Sequence, residues 1–393
     1  MAAGFVIATG AGNLALEGGL CDLVAEIRVE QEISKATKYA VRFEEDICEG
    51  QPKALSATAL RAGEMVSVLV PDEKSGDTVC LVRGPITKVK SSSVLGGPGS
   101  WLEVHGEDRR IEMDRTPVSA VWTGRATDVA SAILALHQFQ PEVKASEEVV
   151  FEEGTRSLNQ SSADLQVMND LARRLGYEFW IAYTVEAGVG ATSFMIIESG
   201  VFQPSPDYGS AASASASPTP TLDQLVGDSD EIVLRLNVTD DPCRNISAFD
   251  IDVDVEKATA ALLAGVDERS GAKEEDEPTN PPPPVAEAAQ TTLDTYHVVR
   301  TINPAGAGSA ADRASETRAT LAAESWFVTA TASTTAHLLR GVLQPHELVR
   351  VEGSGFAHSG RYQVSKVLHV INPWAHLMDV TLRRNALPEA GHA

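Results

Sequence analysis

The run "SSADLQVMNDLARRLGYEFWI", Ser161 to Ile181, changes its period partway along. Leu165, Met168, Leu171 and Leu175 recur every three or four residues, which on a helix of 3.6 residues per turn places them on one stripe. Ser161 and Asp164 read as an S-x-x-D start, and Gly176 supplies the stop, being the residue that enters the left-handed region without a Cβ clash. Tyr177 to Tyr183 and "SFMIIES", Ser193 to Ser199, then read as a hairpin packed on that helix.

Upstream, from Leu20 to about Asp114, the texture is that of a β domain. "LVAEIRVEQE" alternates Leu23, Ala25, Ile27 and Val29 with Val24, Glu26, Arg28 and Glu30, and "VSVLVPD", "VCLVRGPITKV" and "WLEVHGEDRRIEM" are further short runs separated by Gly or Pro. Strands this short and regular suggest a small barrel or sandwich. A first helix follows at "ATDVASAILALHQF", with Val129, Ile133 and Leu136 on one face and Thr127 or Asp128 as N-cap.

Downstream, "QPSPDYGSAASASASPTPT" has nothing to bury and reads as a flexible linker. Strand texture returns at "EIVLRLNV" and "FDIDVDVE", then breaks at "DERSGAKEEDEPTNPPPPVAEAAQ", where acidic residues and four consecutive prolines predict a disordered insertion that builds neither sheet nor helix. After it come "TYHVVRT", an Ala-rich helix over Ala310 to Glu324, and a last β region from Trp326 to Asn385, in which Met378, Val380 and Leu382 oppose Asp379, Thr381 and Arg383.

The fold class expected is therefore a β-rich α+β protein. Two small β-barrel domains flank a mixed helical and β middle domain: a first barrel over 1–115, the middle domain over 116–202, a linker over 203–222, and a second barrel that starts at 223–263, is interrupted by the insertion at 264–295 and resumes over 296–393.

Composition narrows the function. The chain has 393 residues and a formal charge of -23, which repels phosphates and anionic lipid, so direct nucleic-acid recognition is disfavoured. Cys21, Cys48, Cys80 and Cys243 lie far apart, form no CxxC pair, and read as buried thiols in a reducing compartment. The first residues lack the basic start of a secretion signal, and no stretch reaches the roughly 20 apolar residues of a membrane span, so the expectation is a protein made in the cytoplasm without a signal peptide.

Candidate sites are few. Asp250, Asp252 and Asp254 make a D-x-D-x-D that lacks the turn glycine and the twelfth-position Glu of a calcium loop, and its Ile and Val spacers favour a strand. In that strand Ile251, Val253 and Val255 face one way and a ladder of Asp250, Asp252, Asp254 and Glu256 the other. His346, His358, His369 and His376 could meet around a metal, but no HExxH or acidic partner stands at ligand spacing, so no metal or other cofactor is expected. Gly10 to Gly12 and Gly96 to Gly99 continue into no phosphate-binding loop, and no GxSxG elbow is present. A β-rich chain of several domains without a recognisable catalytic site reads as a structural or assembly part rather than an enzyme.

Two segments carry a resemblance. Leu171, Ala172, Gly176, Tyr177, Phe179 and Trp180 resemble the helix ending in Leu-Ala-x-x-x-Gly-Tyr, followed by an aromatic strand, of the phage late control protein D family, the baseplate hub of contractile tails. "LVRVEGSGFAHSGRYQVSKVLHVINPWAHLMDVTLRRNAL" is similar to the closing strands of that family, in Gly353, Gly360, Tyr362, Val364, His369 and Arg384 to Leu387. The order of elements also fits the hub portion of VgrG spike proteins. The resemblance implies a homotrimer in which two barrels per chain form a ring of six, matching a sixfold inner tube to a threefold spike within an assembled tail or injection particle. Its implied partners are the tube or a tube-initiator protein, a separate spike protein and other baseplate proteins. No oligosaccharide-fold domain or repetitive β-spike follows the second barrel as it does in VgrG. In such a ring the carboxylates of Asp250, Asp252, Asp254 and Glu256 either line the lumen or face outer solvent. The rival expectations are a tail-associated peptidoglycan-cleaving enzyme, which needs two carboxylates at catalytic separation, and a monomeric ligand-binding module.

Overall fold

A computed structural model describes residues 4–47, 52–94, 97–146, 149–153, 157–187, 192–204, 232–236, 244–254, 256–257, 260–266, 273–275, 290–291, 298–302, 310–355 and 357–388. The N-terminal β region contributes β1 (Val6–Thr9), β2 (Val24–Glu32), β3 (Lys38–Ile47), β4 (Met65–Pro71), β5 (Thr78–Ser92) and β6 (Gly97–Glu107). The middle holds α1 (Ala126–Leu136), α2 (Asp164–Leu175), β7 (Glu178–Ala187) and β8 (Phe194–Gln203). The C-terminal region contributes β9 (Ile232–Arg235), β10 (Ile246–Val253), α3 (Ala310–Glu324), β11 (Val328–Thr335), β12 (Leu348–Glu352), β13 (Gly360–Ile371) and β14 (His376–Arg384).

The middle segment folds as its periodicity predicts, with four corrections. Val167, Met168, Leu171, Ala172 and Leu175 are the buried stripe of α2, and Leu165 is only half-buried. Gly176 closes the helix at φ +67°, with the Tyr177 N–H donating to the Ala172 carbonyl. The N-cap is Ala163 rather than Ser161, because Asp164 is the first helical residue and its carboxylate accepts from Gln160 Nε2 (2.6 Å) and His137 Nε2 (2.8 Å). In α1 the cap is Arg125 rather than Thr127 or Asp128, and Leu136 stands exposed while Ala130, Ile133 and Leu134 fill the core. β7 and β8 pair antiparallel along their whole length, the expected hairpin, and α3 covers the predicted residues.

The two β regions differ from the expectation of separate barrels. Among the described residues they form one sheet of thirteen strands, along which eight run antiparallel in the order β10-β11-β14-β13-β2-β3-β6-β5. The join is β13 on β2, with Ile371 opposite Ile27 and Lys366 opposite Glu32. One apolar core runs beneath both regions, from Ile27, Val41, Phe43 and Val104 to Val364, Val367, Val380 and Leu382. A closed barrel would have its own edges paired, whereas here both regions leave an edge that the other covers.

The strand order itself repeats. β2-β3-β6-β5, with β4 on β5 and β1 on β4, has the same connectivity as β10-β11-β14-β13, with β12 on β13 and β9 on β12. The register shift between Ile86 and Lys88 in β5 reappears between Val364 and Lys366 in β13, and that between Val24 and Glu26 in β2 reappears between Ile246 and Ala248 in β10. β1 meets β4 antiparallel, whereas β9 meets β12 parallel.

The segment 264–295, read as an insertion unable to form strands, corrects that reading where it is described: Lys273–Glu275 pairs antiparallel with Ala264–Val266, and Gln290–Thr291 with Leu387–Pro388. Pro281 to Pro284, Cys48, Cys243 and the linker over 205–222 lie outside the described residues.

Candidate functional site: the polar face of the sheet

On β10 the alternation places Phe249, Ile251 and Val253 against the core and leaves Asp250 and Asp252 exposed on the opposite face, and Asp254, one residue past the strand with its N–H still donating to the Phe327 carbonyl, is exposed as well. The ladder has three rungs on this face rather than four. The strand ends at Val253, and Glu256 sits past it in a turn, its N–H donating to Asp254 Oδ1 at 3.1 Å. Val255 lies outside the described residues.

Directly opposite residues in antiparallel strands share a face, so the register traces this one across the sheet. The row through Asp250 runs to Thr331, Thr381, Lys366 and Glu32; the row through Lys90 runs to Glu103, Arg42 and Glu26. Most charges on this face are paired: Lys366 with Glu30 and, at 3.6 Å, Glu32, Arg42 with Glu44 (2.9 Å), and Lys90 with Glu103 (3.3 Å). The hydrogen bond across the β13·β2 join holds Glu30 below its ordinary carboxylate range and Lys366 above the usual lysine value. The Asp ladder stands apart, with Lys257 reaching Asp254 at 3.8 Å from beyond the strand end.

The four histidines separate into three settings. His369 and His376 meet in the core, Nδ1 to Nε2 at 3.0 Å, and His369 Nε2 faces Gln31 Oε1 at 3.1 Å. Gln31 in turn donates to the Leu81 carbonyl, so this chain of polar groups crosses the join from β14 to β5. Because the Gln31 amide nitrogen is committed to that carbonyl, its oxygen accepts from His369 Nε2, which makes His369 Nδ1 the acceptor for His376. Burial pushes both imidazoles down, His376 to about 4. His358 sits in a loop where its carbonyl accepts from the Tyr362 hydroxyl.

His346 belongs to a cluster that the sequence did not show. Glu178, at the start of β7, accepts from Arg383 Nη2 (3.0 Å) and stands 3.0 Å from His346 Nδ1, His346 stacks on Trp180 with ring centroids 3.7 Å apart, and the Arg383 guanidinium lies over Trp326 at 4.2 Å. Burial alone would raise Glu178, but the His346 and Arg383 contacts outweigh it and hold the carboxyl below its ordinary value. Burial lowers His346, outweighing the opposite pull of Glu178. On the other side of the middle segment, Arg110 is buried with Asp108 (2.7 Å) and donates to the Phe179 and Lys35 carbonyls, while Arg83 and Arg109 share Glu198. These contacts bind the middle segment to both β regions.

Among the described residues, no three His, Cys, Asp or Glu side chains converge as metal ligands. A cleft of about 570 Å³ between α2, α3 and β7 is lined by Glu178, Arg383 and Trp326, but Glu178 is already bonded to Arg383 and lies against His346 there. No described helix is long and apolar enough to cross a membrane.

Neither a protein-family model nor a curated protein matches the sequence. Solved structures do match the fold. A tail protein from Neisseria meningitidis superposes with a TM-score of 0.61 at 14% identity over 97% of this chain and 96% of that one. The 43 kDa tail protein of prophage MuSo2 from Shewanella oneidensis gives 0.58 at 12% identity over 98% and 100%. A chain of a PdpA–VgrG complex structure from Francisella gives 0.53 at 9% identity, covering 99% of this chain and 53% of the matched one. The chain therefore has the fold of phage tail proteins and of a chain in the PdpA–VgrG assembly.

Proposed function

We propose that this chain is a structural baseplate hub of a phage tail or phage-tail-like contractile injection system, and that three copies form a ring between a sixfold inner tube and a threefold spike. The observation that carries this is the repeated strand order. A chain holding the same six-strand unit twice presents six similar units when three copies surround a threefold axis, which is what a part joining sixfold to threefold symmetry needs.

The polar face of the eight-strand run supplies the second requirement. Its underside is sealed by the apolar core, so the face bearing Asp250, Asp252, Thr331, Lys366 and Lys90 is the wetted one, suited to the wall of a lumen through which DNA or acidic cargo passes without sticking. The ring acts through surfaces and requires no cofactor; its partners are the tube, a separate spike chain and neighbouring baseplate proteins. In the reading proposed, the protein acts within the assembled particle rather than as an enzyme.

Light scattering of the purified chain tests the ring. One chain is 41.7 kDa, so the expected mass is about 125 kDa, with a central hole in negative stain. A mass that stays at one chain at every concentration, with and without the spike protein, refutes it.

A further inference from the structure

The join inside one chain is a template for the contact between chains. Resting on the ring proposed above, we infer that the open edge of β5, from Thr87 to Ser92, pairs antiparallel with β10 of the next copy, and that Lys88 and Lys90 receive that copy's Asp252 and Asp254.

The repeat makes the argument. β5 and β13 hold the same place in the two units and share the register shift that precedes Lys88 in one and Lys366 in the other; β2 and β10 correspond likewise, with Glu30 matching Asp252 and Glu32 matching Asp254. Within the chain, β13 meets β2 with Lys366 opposite Glu32 and Leu368 opposite Glu30, and Lys366 reaches both carboxylates. The same contact between copies sets Lys88 opposite Asp254 and Lys90 opposite Asp252.

Both strands are available. β4 covers β5 only as far as Pro85, β6 occupies its other side, and among the described residues nothing pairs with the outer edge of Thr87–Ser92 or with the outer edge of β10. An unpaired edge this long is what a sheet uses to recruit another strand. The core-facing side agrees: Val367 is fully buried by β2, whereas Val89 at the equivalent place is 40% exposed, and Val253, its counterpart across the seam, is half-buried. Direction agrees as well. Eight consecutive antiparallel strands leave the first and last running oppositely, and rotation about the ring axis preserves direction, so β5 and the next β10 meet antiparallel. The acidic ladder then serves as a charge-matched seam at each junction between copies.

The test uses the full chain. Lys88→Glu with Lys90→Glu, and separately Asp252→Lys with Asp254→Lys, should each drop the solution mass from about 125 kDa to that of one chain, and combining all four should restore it. Independently, Lys90→Cys with Asp252→Cys should give covalent dimers and trimers on mild oxidation, and neither single variant nor the unmodified chain should. If the unmodified chain is a trimer but charge reversal leaves its mass unchanged and the cysteine pair does not cross-link, the seam is wrong while the ring stands. If the unmodified chain is a monomer throughout, the ring reading fails and the seam falls with it.

Discussion

Replacing Glu178 by Ala should loosen the middle segment from the C-terminal strands. The side chain is 14% exposed, accepts from Arg383 and lies 3.0 Å from His346 Nδ1, those two being 17% and 13% exposed. Removing one partner from a buried charged pair can cost about 3–5 kcal/mol, because the charge left behind stays out of water. Here the cost should be smaller, about 2–4 kcal/mol, since Arg383 keeps Gln363 Oε1 at 2.8 Å and the Trp326 ring, and His346, held neutral, leaves only a dipole unpaired. Arg28→Ala is the control: its pair with Glu26 is exposed at 61% and 34%, and pairs of that kind contribute about 0–1 kcal/mol. Urea unfolding followed by tryptophan fluorescence reads the difference, Trp180 and Trp326 both lying in the cluster. A midpoint shift for Glu178→Ala no larger than that of Arg28→Ala would refute the reasoning that this carboxylate fastens the two parts.

Stability should also depend on the histidine pair in the join. Both imidazoles have folded values below the usual 6.5, so the unfolded chain binds protons first: their contribution is complete above about 6.5 and is lost as pH falls toward about 4, by at most about 3 kcal/mol for His376. Glu347, half-buried and raised by desolvation to about 7, works oppositely between its unfolded value and 7, so the check is the difference in thermal midpoint between His376→Asn and the parent across pH 7 to 4, which should narrow as pH falls. A constant difference would contradict the assignment. Gly84→Ala should prevent folding of the N-terminal strands, because a Cβ there would stand 1.8 Å from the Glu107 carbonyl oxygen; soluble protein with an unaltered circular dichroism melt would show that β5 and β6 can separate more easily than their packing implies.

Much of the local structure is legible in the sequence, because it is written in periods. The 3.6-residue stripe of α2, the glycine that ends it, the β7–β8 hairpin, the Ala-rich α3 and the two-residue alternation of β14 all follow from which side chains must leave water together. The exposure of Asp250, Asp252 and Asp254 follows in the same way from the Ile and Val between them. Where expectation and structure part, tertiary contacts decided. Leu136 is apolar and periodic yet exposed, since α1 turns Leu134 inward instead, and Asp164 was drawn from a capping role to the first helical turn by His137 and Gln160.

The sequence by itself determined the helices, the strands outside 264–295 that alternate, and the acidic strand. Only the tertiary structure decided that β13 lies on β2, that the two β regions share one core, and that their strand orders match. Alternation states that a strand has a wet and a dry face but not which strand lies beside it. Lys366 and Glu30 are 336 residues apart in the chain, and only the folded sheet brings them into contact. The same physics leaves the partner of β10 unwritten along the chain, because its edge hydrogen bonds come from backbone that every residue carries, and the matching lysines are recognisable only once the repeat sets Lys88 in the place of Lys366.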